Sequence, residues 1–126
     1  MLNIEDGNTL TEIYNPLAEV FRALAHPARL AILDLLREGE ACVCHIEAML
    51  GLRQAYVSQQ LMLLRQSGLV SMRRQGWNVF YRVSDPRIFE VLEQARSLLP
   101  APLPALPRTE TLQCTCPRCR VGSKPA

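Results

Sequence analysis

The stretch Gly51-Leu52-Arg53-Gln54-Ala55-Tyr56-Val57-Ser58-Gln59-Gln60-Leu61-Met62-Leu63-Leu64-Arg65 decides how this chain folds. Val57, Leu61 and Leu64 recur at spacings of four and three, the period of one face of an α-helix, which predicts a helix over about 54–66. Gly51 breaks the preceding segment, since glycine suits the residue that ends a helix. A short helix over about 43–50 then precedes it, with Ile46, Met49 and Leu50 inward. Two short helices joined by a three-residue turn make a helix-turn-helix. With the apolar side chains claimed by the core, Gln54, Tyr56, Ser58, Gln59, Gln60 and Arg65 are expected to face outward. Glutamine pairs with adenine, serine with base edges or phosphate, and arginine with phosphate. Gln54, Tyr56, Ser58 and Gln59, nearest the start of the helix, are the candidate base contacts in a major groove; Arg65 is a candidate phosphate contact.

Outward from this core the pattern changes twice. Towards the N-terminus, Pro27 opens a strongly apolar helix through Leu30, Ile32, Leu33, Leu35 and Leu36, which Gly39 ends. Before it, Thr9-Leu10-Thr11-Glu12 has the form of a capping box, predicting a helix over about 10–24 with Ile13, Leu17, Val20, Phe21 and Leu24 on one side. Pro16 is expected to shorten or kink it. Towards the C-terminus, Leu69–Met72 and Val79–Val83 read as two strands of a hairpin turning near Gly76. Arg73, Arg74 and Arg82 on this hairpin are candidate contacts to backbone phosphate, while Trp77 is expected to pack and anchor it. A last helix over about 86–98 carries a stripe of Ile88, Val91, Leu92, Ala95, Leu98 and Leu99. The fold class is therefore mostly α with a small β-hairpin, a winged helix-turn-helix. Residues 1–99 form this domain, and 100–126 form a Pro-rich, Cys-containing tail.

Charge follows the same division. Residues 1–50 carry eight acidic and three basic side chains, whereas 53–87 carry six arginines and one acid, Asp85. A basic middle third is suited to a polyanion. Apolar residues make up 48 % and charged residues 21 %, which is ordinary globular material. No run of 18 apolar residues spans a membrane, and residues 1–6 lack the form of a signal peptide, so a cytoplasmic, reducing setting is expected. In that setting five cysteines, Cys42, Cys44, Cys114, Cys116 and Cys119, suggest metal or redox chemistry rather than a disulfide scaffold. Residues i and i+2 point to nearly opposite sides of a helix. Cys42 and Cys44 can therefore share an ion only from the incoming loop or first turn of the 43–50 helix. That helix start also favours thiolate.

The blocks Leu24–Leu33, Cys42-Val43-Cys44, Val57–Leu61, Leu64–Val70 and Gly76–Tyr81, in this order and spacing, resemble the ArsR/SmtB family of metal-sensing repressors. The resemblance covers about residues 10–99. It implies a homodimer joined through the first and last helices, which binds double-stranded operator DNA and is released by an inducer. It also implies a metal(loid) site at Cys42 and Cys44. The third cysteine of the family's arsenite sensors has no counterpart at Glu47, and the family's last-helix zinc site is absent, because Arg87 stands where a histidine follows Asp85. Candidate additional ligands are Cys114, Cys116 and Cys119, which an extended tail of about 43 Å from Pro100 to Cys114 can deliver. Soft thiolates favour As(III) or Sb(III) over Cd(II), Pb(II) or Zn(II) as inducer. Competing readings are a thiol-redox or persulfide sensor on the same fold, a structural zinc knuckle in the tail, and a disulfide-exchange enzyme built on Cys116-Pro117-Arg118-Cys119. The last is disfavoured because its motif lies in a proline-rich segment with no fold behind it, so no enzymatic activity is expected.

Overall fold

A computed structural model of the chain describes residues 7–104. Five helices and three short strands follow one another as α1 (Gly7–Leu24), α2 (Pro27–Leu36), β1 (Ala41–Cys42), α3 (Val43–Leu50), α4 (Gln54–Gln66), β2 (Val70–Gln75), β3 (Asn78–Val83) and α5 (Arg87–Ser97). The sheet is antiparallel in the order β1-β3-β2. The core lies where α2, α3 and α4 meet the sheet. Ile32, Leu33, Ile46, Val57, Leu61 and Leu64 are completely buried there.

Local chemistry sets the helix ends. His26, extended at φ −151° and ψ 125°, caps α2, its Nδ1 accepting from the Ala28 N–H at 3.2 Å, and Pro27 supplies the preset first turn. Gly51 closes α3 in the left-handed conformation at φ 65° and ψ 29°, its N–H donating to the Glu47 carbonyl at 2.8 Å. A side chain here would be strained. This fixes the turn between α3 and α4, the two helices of the helix-turn-helix.

Four expectations are corrected. The helix α1 begins at Gly7, not at the Thr9–Glu12 box, and the Thr11 hydroxyl donates to the Gly7 carbonyl as an interior side chain. It runs unshortened through Pro16, which is exposed, so water can reach the carbonyl that the missing N–H leaves unpaired. The hairpin is longer than the sequence pattern suggests, because Arg73, Arg74 and Gln75 belong to β2 and pair with Phe80, Val79 and Asn78. Finally, the short strand β1, unexpected from its two residues, pairs Ala41 with Tyr81 and Cys42 with Phe80.

Candidate nucleic-acid interface and cysteine pair

On α4, Gln54, Ser58, Gln59 and Arg65 are exposed, as their positions between apolar residues require. Tyr56 is half-buried, its hydroxyl 3.3 Å from His26 Nε2. Because Nδ1 of that imidazole accepts from a backbone N–H, its neutral form carries the proton on Nε2 and donates it to the Tyr56 oxygen. Gln60 is not exposed as expected. It is 5 % exposed, and its Oε1 accepts from Arg29 Nε at 2.8 Å. The same guanidinium donates through Nη1 to the Ala23 carbonyl at 3.2 Å, near the end of α1. Arg29 therefore joins the end of α1 to the middle of α4. Sequence reasoning missed this residue, because its partner lies 31 positions away and glutamine reads as a surface residue.

In the hairpin, Arg73 is held from two sides. It donates to Glu40 through Nε at 2.8 Å and also through Nη2, and its guanidinium lies 4.7 Å from the Phe80 ring centre. The hydrogen bond to Glu40 raises its pKa above the ordinary arginine value. Glu40 is thus a partner of Arg73 that the sequence did not signal. Arg82 is exposed, with Nε 3.5 Å from the Ser71 hydroxyl across the ladder, and Arg74 is exposed on the opposite face of β2. Trp77 does not anchor the hairpin: it is fully exposed at the tip. The turn has only two residues, Gly76 and Trp77, too few to fold the indole back onto the body.

The two sulfurs come together where the spacing demands. Cys42 is the cap of α3, extended at φ −84° and ψ 164°, and Cys44 lies in the first turn; their Sγ atoms are 2.7 Å apart. The Cys42 Sγ accepts from the His45 N–H at 3.4 Å, so the helix start points a backbone donor at it. Cys42 is buried and Cys44 exposed. Among the described residues no three His, Cys, Asp or Glu side chains converge as a metal site. Cys114, Cys116 and Cys119 lie outside the described residues. At the start of α5, Arg87 Nε and Nη2 donate to Asp85 Oδ2 at 2.9 and 2.7 Å, so this carboxylate is engaged by the residue that replaces a ligand.

A helix-turn-helix followed by an arginine-bearing hairpin defines a winged-helix DNA-binding regulator. The sequence of the bacterial regulatory protein arsR family model matches residues 26–72. The chain is 39 % identical over 85 residues to the biofilm growth-associated repressor of Agrobacterium fabrum, covering 68 % of this chain and 73 % of that one. The crystal structure of NolR from Sinorhizobium fredii superposes with a TM-score of 0.68 at 31 % identity, over 80 % of this chain and 99 % of that one. A homodimeric winged helix-turn-helix domain from Mycobacterium bovis superposes with a TM-score of 0.64 at 31 % identity, over 74 % of this chain and 89 % of that one. The chain belongs to the ArsR/SmtB family of transcriptional repressors. Among the described residues no helix is long and apolar enough to cross a membrane.

Proposed function

We propose that the chain represses transcription as a homodimer on operator DNA, and that As(III) or Sb(III) releases it by binding Cys42 and Cys44 together with cysteines of the tail. The observation that carries this reading is the position of Cys42. It is at once the strand residue paired with Phe80 of the wing and the cap of α3, which passes through Gly51 into α4. An ion held by Cys42 and Cys44 acts on both DNA-facing elements. A coupling of about 1–3 kcal/mol changes affinity about 5–150-fold.

Two donors fit a thiophilic ion without completing its shell, because As(III) takes three thiolates and Cd(II), Pb(II) and Zn(II) commonly take four ligands. The tail supports completion. Pro102, Leu103 and Pro104 line a groove with Met49 and Leu50, at the end of α3 opposite the sulfurs. That helix is eight residues long, or about 12 Å. The ten residues from Pro104 to Cys114 span up to about 31 Å when extended. The unit 1–99 would then read DNA, while 100–126 carries ligands from its own or the partner subunit.

Dimerisation is supported by α1 and α5. Leu10, Ile13, Tyr14, Leu17 and Phe21 of α1, with Val91, Leu98 and Leu99 at α5, are exposed in the single chain. Burying a large apolar side chain stabilises by about 1.5–3 kcal/mol, so a second copy gains several such contributions by covering them. The homodimeric state of the Mycobacterium bovis domain supports dimerisation.

DNA-binding anisotropy at fixed salt, titrated with As(III), Cd(II), Pb(II) and Zn(II) in turn, tests the inducer. As(III) is expected to weaken binding at least about fivefold. Substituting Cys42 and Cys44 by Ser is expected to abolish that response while leaving repression intact. Ending the chain at residue 110 is expected to reduce metal affinity; an unchanged affinity removes the tail from the site. A second reading, a thiol-redox or persulfide sensor, is favoured by the closeness of the two sulfurs. Release of DNA by oxidant in the presence of chelator would select it.

A further inference from the structure

Trp77 is the sole tryptophan of the chain and is wholly solvent-exposed. No other large hydrophobic side chain is exposed between Met72 and Val91. An indole of this size normally removes 150–250 Å² from water, so leaving it outside costs the folded chain a substantial apolar contribution. The backbone holds it there. The ladder pairs β2 with β3 up to Gln75 and Asn78, leaving Gly76 and Trp77 as a two-residue turn. Gly76 has φ +60°, and Trp77 has negative φ, the signs of a type II′ turn that matches the twist of the strands. Such a turn is stiff, and it keeps the ring at the tip.

The surroundings identify what takes the ring. A protein-docking patch would group several apolar side chains, as α1 does; Trp77 instead follows the exposed Arg74 and Gln75 on its own strand, in the basic third of the chain. Cations beside one large flat apolar group fit a polyanion with an apolar groove floor. Minor-groove proteins insert apolar wedges at base steps between phosphate-contacting cations, and the groove offers acceptors on adenine N3 and thymine O2. We infer that Trp77 is the wing's minor-groove anchor: its ring packs into the groove beside the half-site, its Nε1–H faces the groove acceptors, and Arg74 neutralises an adjoining phosphate. This rests on the DNA-binding reading above and adds to it a residue and a groove.

The tryptophan is also its own probe. The full-length protein is titrated with a 30-base-pair duplex that it has selected from a randomised library, while intrinsic fluorescence and acrylamide quenching are recorded. The expected result is a blue-shifted, partly quenched emission and a several-fold drop in acrylamide accessibility on binding. Trp77→Ala should weaken binding about tenfold with an unchanged slope of log affinity against log salt, because no charge is removed. Arg74→Ala should instead lower that slope by about one. Circular dichroism on both variants confirms that the hairpin change leaves the fold intact. If the wild type selects no duplex, the DNA-binding reading itself fails. If it binds while Trp77 stays fully quenchable and Trp77→Ala binds equally well, the anchor alone is overturned. Protection of Trp77 without DNA, rising with protein concentration, also overturns it in favour of contact with another copy.

Discussion

Helix α4 buries Val57, Leu61 and Leu64 completely within its own chain, whereas α1, 18 residues against 13, leaves Leu10, Ile13, Tyr14, Leu17 and Phe21 exposed and tucks in only Ala23 and Leu24. Both helices are amphipathic, and the periodicity of their apolar residues does not distinguish them. What differs is the neighbour. α4 is pinned between α2, α3 and the sheet, while α1 touches the rest of the chain mainly through its last turn, where Arg29 grips the Ala23 carbonyl. The lesson is that an apolar stripe states how much surface must leave water and not which chain covers it.

The strongest way to break this contrast is a charge on the exposed stripe. Leu17→Asp is expected to leave the monomer folded but to abolish dimerisation, lowering operator affinity at least about 100-fold, since two linked half-site contacts become one. Sedimentation and anisotropy together check it; a folded dimer with normal affinity would show that α1 is not the seam. The second test strikes the link between the helices. Arg29→Ala leaves the Gln60 carbonyl oxygen and the Ala23 carbonyl without their donor, at a cost of roughly 1–3 kcal/mol, to be read from urea unfolding. Gln60→Leu in that background should recover part of the loss, because the stranded acceptor is removed.

The smallest effect belongs to α5, the other helix of the proposed seam. Hydrogen bonds from the Arg87 side chain and backbone hold the Asp85 carboxyl below the usual carboxylate range. A lowered folded-state pKa gives a contribution that is present above the ordinary value of about 3.9 and lost as pH falls through the folded one. Both partners are exposed, so solvent screens the pair. Asp85→Asn should leave the melting temperature at pH 7 nearly unchanged and slightly flatten its fall below about pH 4. A large effect at neutral pH would mean that this turn does more than cap α5.

Much of the scaffold was legible because it is written in local chemistry. Pro27 and Gly51 mark helix ends whatever surrounds them, and the apolar periods of α3 and α4 locate both helices within their observed bounds. The closeness of the Cys42 and Cys44 sulfurs was legible for a stereochemical reason: two residues two apart cannot converge within a regular helix, only on the incoming loop or first turn. Two of the failures are non-local, and two are local. β1 exists because β3 offers an edge to Ala41 and Cys42. Gln60 is buried because Arg29 comes from another helix to meet it. Trp77 was expected to pack and anchor the hairpin, yet a two-residue turn gives it nowhere to go. The Thr9–Glu12 box misled because a capping pattern inside a longer helix is only a threonine donating to a carbonyl four residues back.

In the sheet order β1-β3-β2, the outer strand β2 has an unpaired edge. Such an edge is a template on which further strands can add, and proteins commonly defend it with charge. Arg73 and Arg74 sit in adjacent positions on that strand and point to opposite faces. Like charges on approaching hairpins repel each other, so the exposed Arg74 works against strand addition at this edge.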